Sequence, residues 1–314
     1  MKTIQLSGLE KPVSTLIQGS DYFRPSIYEK VSQVLDRFVA IGGNTIDTAN
    51  VYCDGESEVA IGQWLNDRNN RDELIILTKG AHHDQSGPRV NPEAITNDLF
   101  TSLERLGTDY IDLYALHRDD PSVPVEAIVD ALNEHIQTGR IRAIGGSNWT
   151  VERLQEANDY AAKNGLVGFT FNSPNLSLAK AQEPYWEGCI SADRTYCDWH
   201  EKQQMPLLSW SSQARGFFTG RFTPEDRSNA DLVRVFYNEA NWERLRRAED
   251  LAREKGASTI QIALAYVLNQ PFPTCAIIGA QNDTELISCR DGAKIVLTDE
   301  EIRWLEGPSS QGNK

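Results

Sequence analysis

Residues 44–65 read NTIDTANVYCDGESEVAIGQWL, and the fold turns on how this stretch is read. It opens as a buried strand and closes as an amphipathic helix. Between the two stand an aspartate, Asp47, and a tyrosine, Tyr52, five residues apart. A carboxylate at the end of an apolar strand is costly unless a countercharge or hydrogen bonds compensate it. The segment therefore calls for a cation from a neighbouring element and places that cation close to a phenol.

The same strand-then-helix unit recurs along the chain. Short apolar runs occur at residues 15–20 (TLIQGS), 45–49 (TIDTA), 74–79 (LIILTK), 111–117 (IDLYALH), 141–148 (IRAIGGSN), 168–174 (GFTFNSP), 206–212 (PLLSWSS) and 275–280 (CAIIGA). Most lack alternation between apolar and polar residues, as expected of strands buried on both faces of a parallel sheet. The intervening stretches have helical spacing, with apolar stripes at Val31/Val34/Leu35/Phe38/Val39, Ile95/Leu99/Leu103/Leu106 and Ile128/Val129/Leu132/Ile136. Asn91 before Pro92 is a helix start. Gly107, Gly139 and Gly165 stand where helices stop, and Thr298 with Glu301 forms a capping box for a final helix. Eight such units predict a single (β/α)8 barrel over residues 1–306 and a flexible tail over 307–314. A doubly wound dinucleotide-binding sheet would need a Gly-rich turn after its first strand, and G-x-G-x-x-G does not occur. The stretch after the seventh strand, residues 213–241, is too irregular for one helix and reads as a long lid or binding loop.

Composition narrows the function. The chain has 314 residues, 40% of them apolar and 24% charged, with a formal charge of −14. Nucleic acid and anionic membranes call for clustered Lys and Arg, so neither is an expected partner. No apolar run approaches the length of a membrane span, and the first residues lack the apolar core of a secretory signal. Five scattered cysteines with no C-x-x-C pair suggest free thiols in the cytoplasm.

In a barrel of this kind chemistry sits at the C-terminal ends of the strands. Asp47 ends the second strand, Tyr52 follows it, Lys79 ends the third and His117 the fourth. Adjacent strands lie about 5 Å apart, so all four side chains fit one pocket. Lys79 would be the countercharge of Asp47. Its ammonium would also lower the phenol of Tyr52 from a pKa of about 10 toward the range of a general acid–base. His117 would hydrogen-bond the oxygen of a substrate.

The stretches at 42–65, 77–80 (LTKG), 116–120 (LHRDD) and 145–148 (GGSN) resemble, in order, the motifs of the aldo-keto reductase superfamily. The resemblance implies a barrel that carries hydride from NADPH or NADH to an aldehyde or ketone while the tyrosine donates the proton. It makes Asp47, Tyr52, Lys79 and His117 the catalytic tetrad. It implies cofactor contacts at Gly19 and Ser20, at Ser147 and Asn148 for the nicotinamide carboxamide, at Ser173, and at Trp210 as the ring that stacks on the nicotinamide. It also implies a pyrophosphate loop at Ser211, Ser212, Gln213, Arg215, Gly216 and Gly220. An adenosine segment would be supplied by Gly279, Gln281, Glu285 and Cys289. Family frequency favours NADPH. Glu285 stands where several NADPH-specific members carry arginine, would repel a 2′-phosphate, and keeps NADH open, unless Arg215, Arg221 or Arg290 compensates.

The substrate side reads as polar. Asp21 and Tyr22 follow the first strand, His82 and His83 follow Lys79, Arg118 follows His117, and Trp149 follows the Ser-Asn pair. Asp21, Tyr22, Tyr52, His83, His117, Arg118 and Trp149 are the expected substrate contacts, and they suit a sugar- or polyol-like carbonyl or its alcohol. No metal is expected, because His82, His83, His117 and Asp119 lack ligand spacing. A glycosidase built on Asp21, Asp47 and Asp119 would leave the tyrosine, lysine and histidine unexplained. A cofactor-binding, redox-sensing subunit with little turnover is the remaining alternative. Monomer and homo-oligomer are both open.

Overall fold

The computed structural model describes residues 1–307. Eight parallel strands close into a barrel: β3 (Leu16–Gly19), β4 (Thr45–Asp47), β5 (Ile75–Gly80), β6 (Ile111–Leu116), β7 (Ile141–Ser147), β8 (Phe171–Ser173), β9 (Leu207–Ser209) and β10 (Thr274–Ile278). They match the eight apolar runs of the sequence to within one residue at β5 and β10 and lie inside them elsewhere, and β10 pairs with both β9 and β3 to complete the ring. A short antiparallel hairpin, β1 (Thr3–Ile4) and β2 (Val13–Ser14), precedes them. Its residues Leu6 and Val13 join a buried cluster with Ile17, Ile75, Leu77, Leu113 and Phe171, which fills the barrel interior. The hairpin plugs the end of the barrel remote from the loops that follow the strands.

The outer core lies between the strands and a ring of helices. These are α1 (Tyr28–Ala40), α2 (Glu56–Arg68), α3 (Pro92–Leu106), α4 (Val125–Gln137), α5 (Val151–Asn164) and α6 (Arg194–Gln203), followed by α7 (Ala230–Phe236), α8 (Glu239–Lys255), α9 (Thr259–Leu268), α10 (Asp283–Gly292) and α11 (Asp299–Glu306). The expected caps form. Asn91 accepts from the Ala94 N–H, and Thr298 and Glu301 make their reciprocal box. Gly107 and Gly165 close their helices in the left-handed region. The irregular stretch after β9 holds a short 3-10 turn at Ala214–Thr219 and then α7. A second long connection, residues 174–193 between β8 and α6, carries no helix or strand and has no counterpart in the sequence reading. Of the expected tail, Gly307 ends α11, and residues 308–314 lie outside the described residues.

Register places the strand ends side by side. Gly19 pairs with Asp47, Asp47 with Leu77, and Lys79 with Ala115. Asp47, Lys79 and His117 thus step by two residues from each strand to the next along the C-terminal rim.

Candidate active site

At that rim Lys79 Nζ donates to the Asp47 carboxylate, to the Thr48 carbonyl at 2.8 Å and to the Tyr52 hydroxyl at 3.0 Å. All three donors of the ammonium are thereby used. Asp47 and Lys79 are almost fully buried. Burial works against the Lys79 ammonium, but the attraction of Asp47 and Tyr52 and their hydrogen bonds outweigh it, so its pKa is raised and the charge is kept. An ammonium has no acceptor, so the Tyr52 oxygen accepts from Lys79 and its own proton is left for another partner. The expectation that Lys79 brings the phenol down is corrected here. Burial pushes Tyr52 up to about 12, with Lys79 opposing and Asp47 adding to the rise. Desolvation of the phenolate exceeds the attraction of an ammonium whose charge is shared with a carboxylate.

His117 packs edge-on against Tyr52, with ring centroids 5.6 Å apart. Its Nδ1 is enclosed without a partner, so Nε2 is the nitrogen that faces the cavity the ring lines. Burial and the nearby cations Lys79 and Arg118 hold its pKa well below the usual imidazole range, and the ring is neutral.

The turn carrying Tyr52 is held from outside the barrel. Cys53, Asp54 and Gly55 follow the tyrosine with φ of 52°, 56° and 90°, a left-handed run that Asp and Gly tolerate best. Gly55 has a second reason: a Cβ there would sit 2.3 Å from Cζ of Arg105. Arg105 Nη1 donates to the Asn50 carbonyl at 2.8 Å and to Glu58 at 3.3 Å, while Thr78 donates to the other Glu58 oxygen at 2.6 Å. The wholly buried Glu58 thus ties α2 to β5 and α3 around the turn.

From the four residues a cavity of about 960 Å³ runs to the start of α10, near the upper end of the usual range for ligand sites. Its wall includes most of the expected cofactor residues: Gly19, Ser20, Ser147, Asn148, Trp210 to Gln213, Arg215, Gly216, Gly279, Gln281, Glu285 and Cys289. Asn148 sits at φ 60°. Its Oδ1 accepts from the Ile190 N–H and from Trp210 Nε1, and its Nδ2 makes long bonds to the His117 carbonyl and Ser147. Thr150 caps α5. Two of the expected cofactor residues lie outside the cavity wall. Ser173 is fully buried and spends its hydroxyl on the Leu208 carbonyl at 2.7 Å. Gly220 lies beyond the cavity wall. Arg215 stacks over the rings of Tyr185 and Trp186, 4.8 and 5.3 Å from their centroids. At the far end the Glu285 carboxylate accepts from the Gln281 N–H at 2.8 Å. Arg290 is taken up by Asp291 instead.

On the open side Asp21, Tyr22, His83 and Arg118 line the cavity as expected. Trp149 does not. It is fully buried, donates from Nε1 to the Arg118 carbonyl at 3.0 Å and packs edge-on against Phe169. Sequence reading missed Tyr185, Trp186, Glu187 and Cys189, which the 174–193 connection brings over the cavity. The adjacent Tyr-Trp pair in a polar, Pro-containing stretch was the signal available. Asp119, considered earlier as a ligand or acid, is bound by Arg153 at 3.1 Å.

The family model for the aldo/keto reductase family matches residues 16–307. The chain belongs to this family. It is therefore an NAD(P)H-dependent oxidoreductase acting between carbonyls and alcohols. Among similar proteins, norsolorinic acid reductase B of Aspergillus parasiticus is 27% identical over 301 residues, covering 92% of this chain and 77% of its own. The aldo-keto reductase YhdN of Bacillus subtilis is 29% identical over 269 residues, 82% and 76% of the two chains. A glycerol dehydrogenase of Gluconobacter oxydans superposes with a TM-score of 0.77 over 97% of this chain and 94% of its own, at 24% identity, which speaks to the fold. Among the described residues of this aldo/keto reductase no helix is long and apolar enough to cross a membrane.

Proposed function

We propose that the protein reduces the carbonyl of a polar, hydroxyl-bearing small molecule, with Tyr52 as proton donor. One observation carries the reading: the Lys79 ammonium bridges Asp47 and the Tyr52 oxygen, which leaves the phenol's proton free for a substrate oxygen. The cavity suits a dinucleotide in size, and its wall offers Ser211, Gln213 and Arg215 to phosphates and Trp210 and Asn148 to a nicotinamide. When bound, the nicotinamide supplies hydride to the carbonyl carbon. Tyr52 gives its proton to the carbonyl oxygen as negative charge develops there. Lys79 offsets the charge left on the phenolate, and Asp47 keeps Lys79 charged and in place. Neutral His117 presents Nε2 to the same oxygen and orients it. Tyr185, Trp186 and Trp210 pack ring against ring along the cavity wall, with centroids 4.6 and 5.9 Å apart.

For the cofactor, the Glu285 carboxylate stands in the wall of the adenosine end; of the three candidate arginines, Arg290 is paired with Asp291, Arg215 stacks on Tyr185 and Trp186, and Arg221 shares the cavity wall. A local negative charge favours a ribose hydroxyl over a phosphate. We therefore assign NADH as the preferred donor, against the family frequency.

The substrate side holds Asp21, Tyr22, two imidazoles besides His117, and a guanidinium, a lining that suits hydroxylated compounds. Turnover with NADH and NADPH on keto-sugars and sugar aldehydes should exceed that on long-chain aldehydes. Faster turnover of long-chain aldehydes would overturn the substrate class, and no cofactor consumption with any carbonyl would overturn the reaction.

A further inference from the structure

Lys79 and Arg118 are the two most buried lysine or arginine side chains among the described residues. Lys79 is neutralised by Asp47. Arg118 is only 8% exposed, lines the cavity and forms no ion pair among the described residues. Its carboxylate neighbours along the chain are committed elsewhere: Asp119 is bound by Arg153, and Asp120 by Ser122. Nη1 donates to the His117 carbonyl at 2.8 Å. Nε is enclosed with no partner, beneath a turn at Gly188 where a Cβ would come within 3.3 Å of Cδ. Nη2 makes no hydrogen bond and is not enclosed, so it is the atom the guanidinium presents to the cavity. A buried guanidinium left without an anion is expensive, and the fold bears that cost directly beside the proposed reaction centre.

We propose that Arg118 receives a carboxylate of the substrate, so that the enzyme acts on hydroxylated carbonyl compounds that are also acids, of the uronic-acid or oxo-acid kind. The inference rests on the carbonyl-reductase reading above and names its substrate class. The Nη2 N–H groups of a guanidinium can donate charge-assisted hydrogen bonds to a carboxylate. One unpaired guanidinium calls for one carboxylate. Of the rings in this wall, burial lowers His82 to about 4 and holds His117 well below the usual imidazole range. The acids in the wall do not neutralise the guanidinium: Asp21 and Glu187 are both exposed and form no ion pair with it.

The test uses isosteric pairs that differ only in that charge: glucuronate against glucuronamide, and 4-carboxybenzaldehyde against 4-carbamoylbenzaldehyde. For each, kcat/KM is measured with saturating cofactor, and equilibrium binding is followed by tryptophan fluorescence on the cofactor-loaded full chain. The wild type should favour the acid by about tenfold or more. Arg118→Met should abolish that ratio, chiefly through KM, and Arg118→Lys should retain part of it. If Arg118→Met fails to fold, the Lys variant decides, because it keeps the charge and loses the Nη2 donors. An acid-to-amide ratio near one in the wild type, or one unchanged in either variant, overturns the inference while leaving carbonyl reduction standing. Arg118-dependent binding of the acids without turnover would uphold the inference and overturn the reaction, and the absence of both binding and turnover would overturn both.

Discussion

At the scale of residues, the account rests on which proton sits where. Tyr52 is held at about 12 and His117 is kept neutral. Reduction needs the protonated phenol. A raised pKa keeps that form populated at every lower pH and loses it only as pH climbs through the phenol's value. His117 titrates well below its usual range, so no imidazole ionisation should cut in near pH 6.5. The pH profile of kcat/KM for reduction should therefore be level between about pH 6 and 9 and fall at more alkaline pH. A fall centred near pH 6 to 7 in the direction of acid would show that His117 gains a charge. The identities of these four residues were legible in the sequence because each ends, or closely follows, a recognisable strand. The direction of the tyrosine's shift was not, since it depends on how completely the folded chain strips water from the phenol.

At the scale of elements, the loops decide what the strands hold. The Tyr52 turn depends on Arg105 of α3, which reaches across to Asn50 and to the buried Glu58 of α2. Arg105→Met strands that carboxylate and should cost about 3 kcal/mol in denaturant unfolding. It should also slow turnover about tenfold through looser placement of the phenol. Adding Glu58→Gln should restore much of the stability, because the uncompensated charge goes with it. A single variant as stable as the wild type would show that the pair does not brace the turn. Loop contacts were the least legible part of the chain. Trp149 follows the Ser-Asn pair, yet after the left-handed Asn148 its ring turns into the core toward Phe169. Ser173 is used up by its neighbour strand. Tyr185 and Trp186 reach the cavity along a connection of no regular structure, and no periodicity marks such a path.

At the scale of the whole molecule, the barrel separates support from chemistry. The N-terminal hairpin and the interior cluster around Phe171 fill one end, and the cavity opens at the other. Strand count and order were readable because eight doubly buried runs alternate with amphipathic helices. The hairpin plug was not, being two residues per strand. A ligand bound along the cavity touches the ends of strands and the start of α10, so its binding should stabilise the entire domain. NADH at about one hundred times its Kd should contribute about 2.7 kcal/mol and raise Tm by about 4 °C. NADPH at the same concentration should give a smaller rise, and Glu285→Arg should reverse the order. A larger shift with NADPH in the wild type would contradict the cofactor assignment.

The central claim is that Tyr52 supplies the proton beside a bound hydride donor, and its most direct measurement is single-turnover reduction by Tyr52→Phe at saturating cofactor. The account predicts a loss of about 10²- to 10⁴-fold in the rate of the chemical step, with cofactor affinity, read by tryptophan fluorescence, within about twofold of the wild type. A Phe variant that reduces its substrate at near the wild-type rate would contradict it.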